Sequence, residues 1–209
     1  MERSLTPKGR RAREKILVVA ERLFAANGFH GTSMRDVAAA ARYPLASTIY
    51  HFAKKEQLYA AVLELIATDL DVRLGVVTGD PVDALAIALV RWAREEPGRV
   101  KLLLRELLDN PTRVAKAAKL PLGPFLQRAA KLVAASNKTA DSPETTVLHL
   151  VGAISYFVAS WPTVERIVGP ERAKQIQATY ETEAIAFARR MLGPVGDKSR
   201  GGLSAGLRT

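Results

Sequence analysis

Cysteine is absent from the 209-residue chain, which excludes disulfides, cysteine-ligated zinc, iron–sulfur clusters and thiol catalysis. Histidine is scarce, and the three present, His30, His51 and His149, have no ligand-like spacing. No nucleophile motif or phosphate-cradling glycine loop is present either, so neither catalysis, nor a metal, nor a cofactor is expected. Long apolar runs are also lacking. The longest nearly uncharged stretch, 145–163, is interrupted by His149, Gly152, Ser155, Ser160 and Pro162 and falls short of the roughly 18–20 apolar residues of a membrane span. Residues 1–16 are polar and charged, without the apolar segment of a secretory signal. The expectation is a soluble, cytoplasmic protein with no membrane partner. Sustained period-two alternation is missing too, and the fold class expected is all-α.

What is present is enough apolar material for a core, 48% hydrophobic residues with 25% charged, and a formal net charge of +10. Such an excess points to polyanionic partners. It is unevenly placed: residues 1–56 hold eleven basic and five acidic side chains, a net +6 in about a quarter of the chain.

In that segment Ile16, Leu17, Ala20, Leu23 and Phe24 form an apolar stripe of helical period, and Asn27-Gly28 supplies a stop. Thr32 and Ser33, with Asp36 three residues after Ser33, make a capping-box pattern that starts a second helix through Met34, Val37, Ala38 and Ala41. Arg42-Tyr43-Pro44 interrupts it, and a short third helix follows over about 44–51. A fourth begins at Lys55 with Leu58, Val62, Leu65, Ile66 and Leu70 on its apolar side. Asp80-Pro81 opens a helix reaching Arg94. Further helices are expected over 98–108, over 112–136 with a disturbance at Pro121 and Pro124, over 144–161 and over 171–192. Residues 193–209 are rich in Gly and Ser and are expected to be a disordered tail.

Two short helices joined by a tight turn, behind a third in a basic segment, are the pattern of a helix-turn-helix module. The residues Ile16-Leu17-x-x-Ala20-x-x-Leu23-Phe24-x-x-x-Gly28-Phe29-x-x-Thr32-Ser33-x-x-x-Val37-Ala38-x-x-Ala41, then Tyr50-His51-Phe52-x-x-Lys55-Glu56-x-Leu58, resemble the N-terminal signature of TetR-type transcriptional regulators. The organisation expected is a flexible basic arm (1–11), a helix-turn-helix domain (12–56), a helical effector-binding and dimerisation domain (57–192) and the tail.

In such a module the recognition helix enters the major groove, which makes Pro44, Leu45, Ala46, Ser47 and Thr48 candidates for the base edges. The resemblance implies a phosphate-facing aromatic at Ile49 or Tyr50, with Tyr50 preferred and His51 nearby. The Thr32 and Ser33 hydroxyls can serve as caps or meet phosphates. Lys55, at a helix N-terminus, is a candidate phosphate contact. Arg42 stands where the family commonly has glycine; if that turn has positive φ, arginine there costs about 1 kcal/mol, and a phosphate contact is one compensation. Pro44 replaces a hydroxyl cap, and Leu45 and Ala46 offer no bidentate hydrogen bond, so sequence choice is expected to rest on thymine methyls, Ser47, Thr48 and DNA shape.

For residues 57–192 the resemblance implies effector binding and dimerisation. The 144–161 and 171–192 helices are candidates for an isologous four-helix interface of a homodimer. Trp92, Phe125, His149, Tyr156 and Trp161 are the aromatics available to a small-molecule effector pocket, or else to the core. Arg105, among leucines, is expected to be a snorkelling surface arginine. The function expected is a homodimeric DNA-binding repressor of a pseudo-palindromic operator, released by an effector. The competing reading of the charge is a nonspecific binder of polyanions or anionic membrane surfaces.

Overall fold

The computed structural model describes residues 6–76, 79–109, 120–136 and 142–192. Among them there is no strand, and the all-α class holds. The helices are α1 Pro7–Asn27, α2 Met34–Ala41, α3 Leu45–His51, α4 Lys55–Val76, α5 Pro81–Glu95, α6 Pro97–Asp109, α7 Gly123–Ser136, α8 Pro143–Val168 and α9 Pro170–Leu192. Helices α1–α3 and the start of α4 make a small basic unit; α5–α9 with the rest of α4 form the larger bundle.

Local signals set most ends. Gly28 closes α1 at φ 73°, a conformation open to glycine, and its N–H donates to the Phe24 carbonyl at 2.9 Å. Ser33 caps α2: its backbone N–H donates to Asp36 at 2.8 Å, and the Asp36 N–H donates back to its hydroxyl at 3.2 Å. The hydrogen bonds from Ser33 hold the Asp36 carboxyl below its ordinary pKa. Asp80 accepts from the N–H groups of Val82 and Asp83 and caps α5, with Pro81 in its first turn.

Two expectations are corrected. Residues 7–11, expected in a flexible arm, are the first turns of α1, because Thr6 accepts from the Gly9 N–H at 3.2 Å and Pro7 suits a helix start. The helix expected to stop at Trp161 continues through Pro162 to Val168. Proline removes one backbone donor, and packing of α8 against α5, α6, α7 and α9 holds the helix together across it. That length also makes α8 long and apolar enough to cross a membrane, with a mean hydropathy of 1.4 over 18 residues, yet those same contacts place it in the bundle. The expected helix start at Thr112 and the tail at 193–209 lie outside the described residues; within them α7 begins at Gly123, with Pro124 in its first turn.

One apolar core runs from α1 to α9. Its N-terminal end is an aromatic cluster: Phe24 meets Tyr59 edge-on at 4.8 Å, and Phe29 meets Tyr59 likewise at 5.1 Å. Tyr59 belongs to α4, so the expected division at residue 57 falls within a helix that both units share.

Candidate nucleic-acid interface

The turn between α2 and α3 begins at Arg42, whose φ of 60° and ψ of 42° are left-handed. The cost anticipated for a non-glycine residue at this position is therefore real. The turn is held by two backbone bonds, Arg42 N–H to Ala39 at 3.1 Å and Tyr43 N–H to Ala38 at 3.0 Å. The Arg42 side chain is exposed and has no partner among the described residues. Pro44 occupies the N-cap of α3 without a side-chain hydrogen bond, in keeping with what its ring permits.

Two cations of α1 brace this turn from behind. The Arg13 guanidinium lies 4.8 Å from the Phe52 ring centre, and the Lys15 ammonium 5.4 Å from that of Tyr43. Such contacts contribute about 0.5–1 kcal/mol each at exposed sites. They tie both ends of the α3 segment to α1, and no spacing rule reveals them.

The structure separates the expected contact residues. Ala46 and Pro44 are exposed, Leu45 and Ser47 half-buried, and Tyr50 is 66% exposed, so its ring is free of α1 and open to a partner. Ile49, the alternative position, is 44% exposed. Thr48 is corrected: it is fully buried, its hydroxyl donating to the Pro44 carbonyl at 3.5 Å, because it lies on the side of α3 that packs inward. Thr32 is corrected likewise. It is 1% exposed and donates to the carbonyls of Leu23 and Gly28 at 3.2 and 3.0 Å, sealing the end of α1.

Lys55 is the third correction. Its ammonium turns inward to donate to the Phe29 and Thr32 carbonyls at 3.0 and 3.1 Å and sits 4.3 Å from the Phe29 ring centre. Two of its three donors thus pin α4 to the α1–α2 connection, and it is no free phosphate cation. Ser33 stays exposed at its cap. His51 is half-buried, and its Nδ1 is enclosed without a hydrogen-bond partner. Burial, then the charge of Arg13, lowers its pKa.

The exposed cations of this unit are Lys8, Arg10, Arg11, Lys15, Arg22, Arg35, Arg42 and Lys54. None has an acidic partner among the described residues. Several basic side chains elsewhere are paired. Arg99 of α6 donates to Glu21 of α1 at 2.7 Å and to Asp69 of α4 at 2.8 Å, and Asp69 also accepts from the Trp92 indole at 2.9 Å. Arg105, expected to snorkel at the surface, donates to the Ala26 carbonyl at the end of α1 at 2.9 Å. Tyr59 donates to Glu106 at 2.9 Å. Helix α6 thus binds the basic unit to the bundle at three points, which sequence spacing did not reveal.

The five aromatics proposed for an effector pocket do not converge. Trp92 and Phe125 are core residues, each 4% exposed, whereas Tyr156 is 74% exposed and His149 also faces solvent. Trp161 lies against Phe157 at 5.1 Å.

A capped helix, a strained turn and a short helix with an open outer face, flanked by unpaired cations, define a helix-turn-helix module carried on a helical bundle. Residues 16–62 match the sequence pattern described as "Bacterial regulatory proteins, tetR family". The HTH-type transcriptional repressor Rv3405c of Mycobacterium tuberculosis is 36% identical over 110 residues, 52% of this chain and 54% of that protein. The chain therefore spans about half the length of the curated relatives it matches. The fold resembles that of the putative transcriptional regulator SCO4942 from Streptomyces coelicolor, with TM-score 0.68, 20% identity and coverage of 86% of this chain and 97% of that one. It also resembles AibR, solved with isovaleryl coenzyme A and operator DNA, with TM-score 0.54, 18% identity and coverage of 70% and 85%. Over residues 16–62 the chain is thus similar to TetR-type helix-turn-helix proteins, and beyond them the likeness is one of fold. The Mycobacterium relative and the Streptomyces neighbour are both named as regulators of transcription.

Proposed function

We propose that the chain is a homodimeric repressor that grips an operator through two copies of the α1–α3 module and releases it when a small molecule binds the bundle. The observation that carries the reading is the open face of α3 in a unit with eight exposed cations that have no acidic partner among the described residues, an arrangement that a solvated charged surface does not require. The neighbour AibR, with an acyl coenzyme A and operator DNA in one structure, lends support to the coupling of effector and DNA. An effector releases DNA only through different affinities for the two states. Trp92 and Phe125, on the adjoining helices α5 and α7, are the candidates for its apolar wall. His149 and Tyr156 face outward and are not.

Mobility-shift titration on the DNA flanking the chain's own coding region, with competitor DNA, tests the reading. Affinity equal to that for random sequence rejects it. Arg42→Gly is expected to raise stability by about 1 kcal/mol by relieving the left-handed strain, yet to weaken DNA binding. The slope of log affinity against log salt should fall by about 0.9 as one phosphate contact is lost. Denaturation and salt titrations read the two effects separately.

The dimer face proposed is the outer side of α8 with α9. Leu148, Gly152 and Tyr156 recur every four residues, and Leu148 and Tyr156 are 59% and 74% exposed. Beside them runs a groove lined by Ile154, Phe157, Tyr180, Ala184 and Phe187. Phe157 and Tyr180 are stacked at 3.4 Å and 8°, and burial pushes the Tyr180 phenol up to about 12. A side chain at Gly152 meets nothing within 4 Å in the single subunit. Gly152→Glu should therefore leave the subunit folded while setting charges against each other across the dimer, weakening association about a hundredfold or more. Sedimentation velocity at micromolar concentration checks this; an unchanged dimer places the interface elsewhere.

A further inference from the structure

The chemistry by which α3 selects a DNA sequence can be read from its outer face. At about 100° per residue, Ala46 and Tyr50 lie opposite the buried Thr48, with Leu45 and Ile49 on one flank and Ser47 and His51 on the other. No residue from Leu45 to His51 is an amide, an acid, a lysine or an arginine. Those are the side chains that pair bidentately with guanine, adenine or cytosine in the major groove. Among the polar residues Thr48 is enclosed, and His51 has one ring nitrogen buried. Ser47 keeps a hydroxyl without a partner among the described residues. The nearest cations on either side do not change this. Arg42 sits in the turn before α3, Lys54 lies past its C-terminal end in the turn to α4, and Lys55 is engaged with the Phe29 and Thr32 carbonyls. The surface offered is thus a methyl, an isoleucine and a leucine edge, one hydroxyl and a phenol.

We propose that this module reads its half-site chiefly through the C5-methyl groups of thymines packed against Ala46, Ile49 and Leu45, with no bidentate contact to guanine. The cations outside α3 grip phosphates and set affinity without choosing sequence. This inference rests on the operator-binding reading above, and its test separates the two.

Duplexes are selected from a random library by the 209-residue chain, and the enriched half-site is remade in two forms. One carries deoxyuridine for thymidine, which deletes only the methyl; the other carries 7-deazaguanine, which deletes the N7 acceptor. The expected result is a loss of about threefold to fivefold in affinity per contacted methyl in the uracil duplex and less than twofold in the deazaguanine duplex. Ile49→Ala, at a 44% exposed position that the fold does not need, should abolish the thymine–uracil difference at one position and leave the salt dependence intact. A half-site without contacted thymines, a tenfold loss with 7-deazaguanine, or indifference to both analogues overturns the inference while leaving operator binding in place. Failure of any sequence to enrich overturns operator binding itself.

Discussion

Phe24→Ala is expected to lower the unfolding free energy by about 3–5 kcal/mol, a large part of the roughly 5–15 kcal/mol that holds a domain of this size together. Phe24 is fully buried, and its ring abuts Tyr59 at 4.8 Å, with Phe29 at 6.3 Å. Truncation opens a cavity and deletes an edge-to-face contact with Tyr59 worth about 0.5–1.5 kcal/mol beyond the area lost. The consequences reach the interface, because Phe29 carries the Lys55 cation and Tyr59 lies on the shared helix α4. Val18→Ala on the same helix, at a 53% exposed position, is expected to cost less than about 0.5 kcal/mol. Urea unfolding of both variants checks the contrast, and equal midpoints would remove the aromatic cluster as the anchor of the module.

The second large effect belongs to Arg99. Its side chain is 17% exposed and Glu21's is 14%, and one guanidinium serves carboxylates on two helices, Glu21 of α1 and Asp69 of α4. Burial opposes its charge, but hydrogen bonding and the charges of Glu21, Glu96 and Asp69 outweigh it, and its pKa is raised. Arg99→Met leaves Glu21 enclosed without its cation and should cost about 2–4 kcal/mol. Glu21→Gln in the Arg99→Met background should recover part of this, since removing both charges of an enclosed pair is cheaper than removing one. A double-mutant cycle with a coupling of about 1–3 kcal/mol is the expected result, and a coupling near zero would mean that the pair adds nothing to the docking of the module. Because α6 also holds Ala26 through Arg105 and Tyr59 through Glu106, the same variants should shift DNA affinity although none of these residues belongs to α3.

The sequence was most informative where a structural event is confined to a few neighbouring residues. The Ser33–Asp36 box, the Gly28 stop, the Asp80-Pro81 start and the positive φ at Arg42 each depend on partners within about four positions, and each stands in the structure. Phe24 and Ile16 were legible as core because helical period alone puts them on one apolar face. The end of α8 was misread because the local rule for proline takes no account of helices packed around Pro162.

Side-chain destinations were another matter. Thr32, Thr48 and Lys55 have the residue types of DNA contacts, and whether a hydroxyl or an ammonium faces solvent or a carbonyl depends on which helix arrives beside it. Lys55 meets a carbonyl 26 residues back, and Arg99 meets a carboxylate at a separation of 78 residues; no spacing rule spans such distances. Local backbone chemistry and apolar periodicity, both written in consecutive residues, determined that this is an all-α chain with a capped helix-turn-helix and a basic front. Packing alone decided which of its polar groups are left open to a partner, because a buried donor or acceptor must find its match wherever the tertiary fold supplies one.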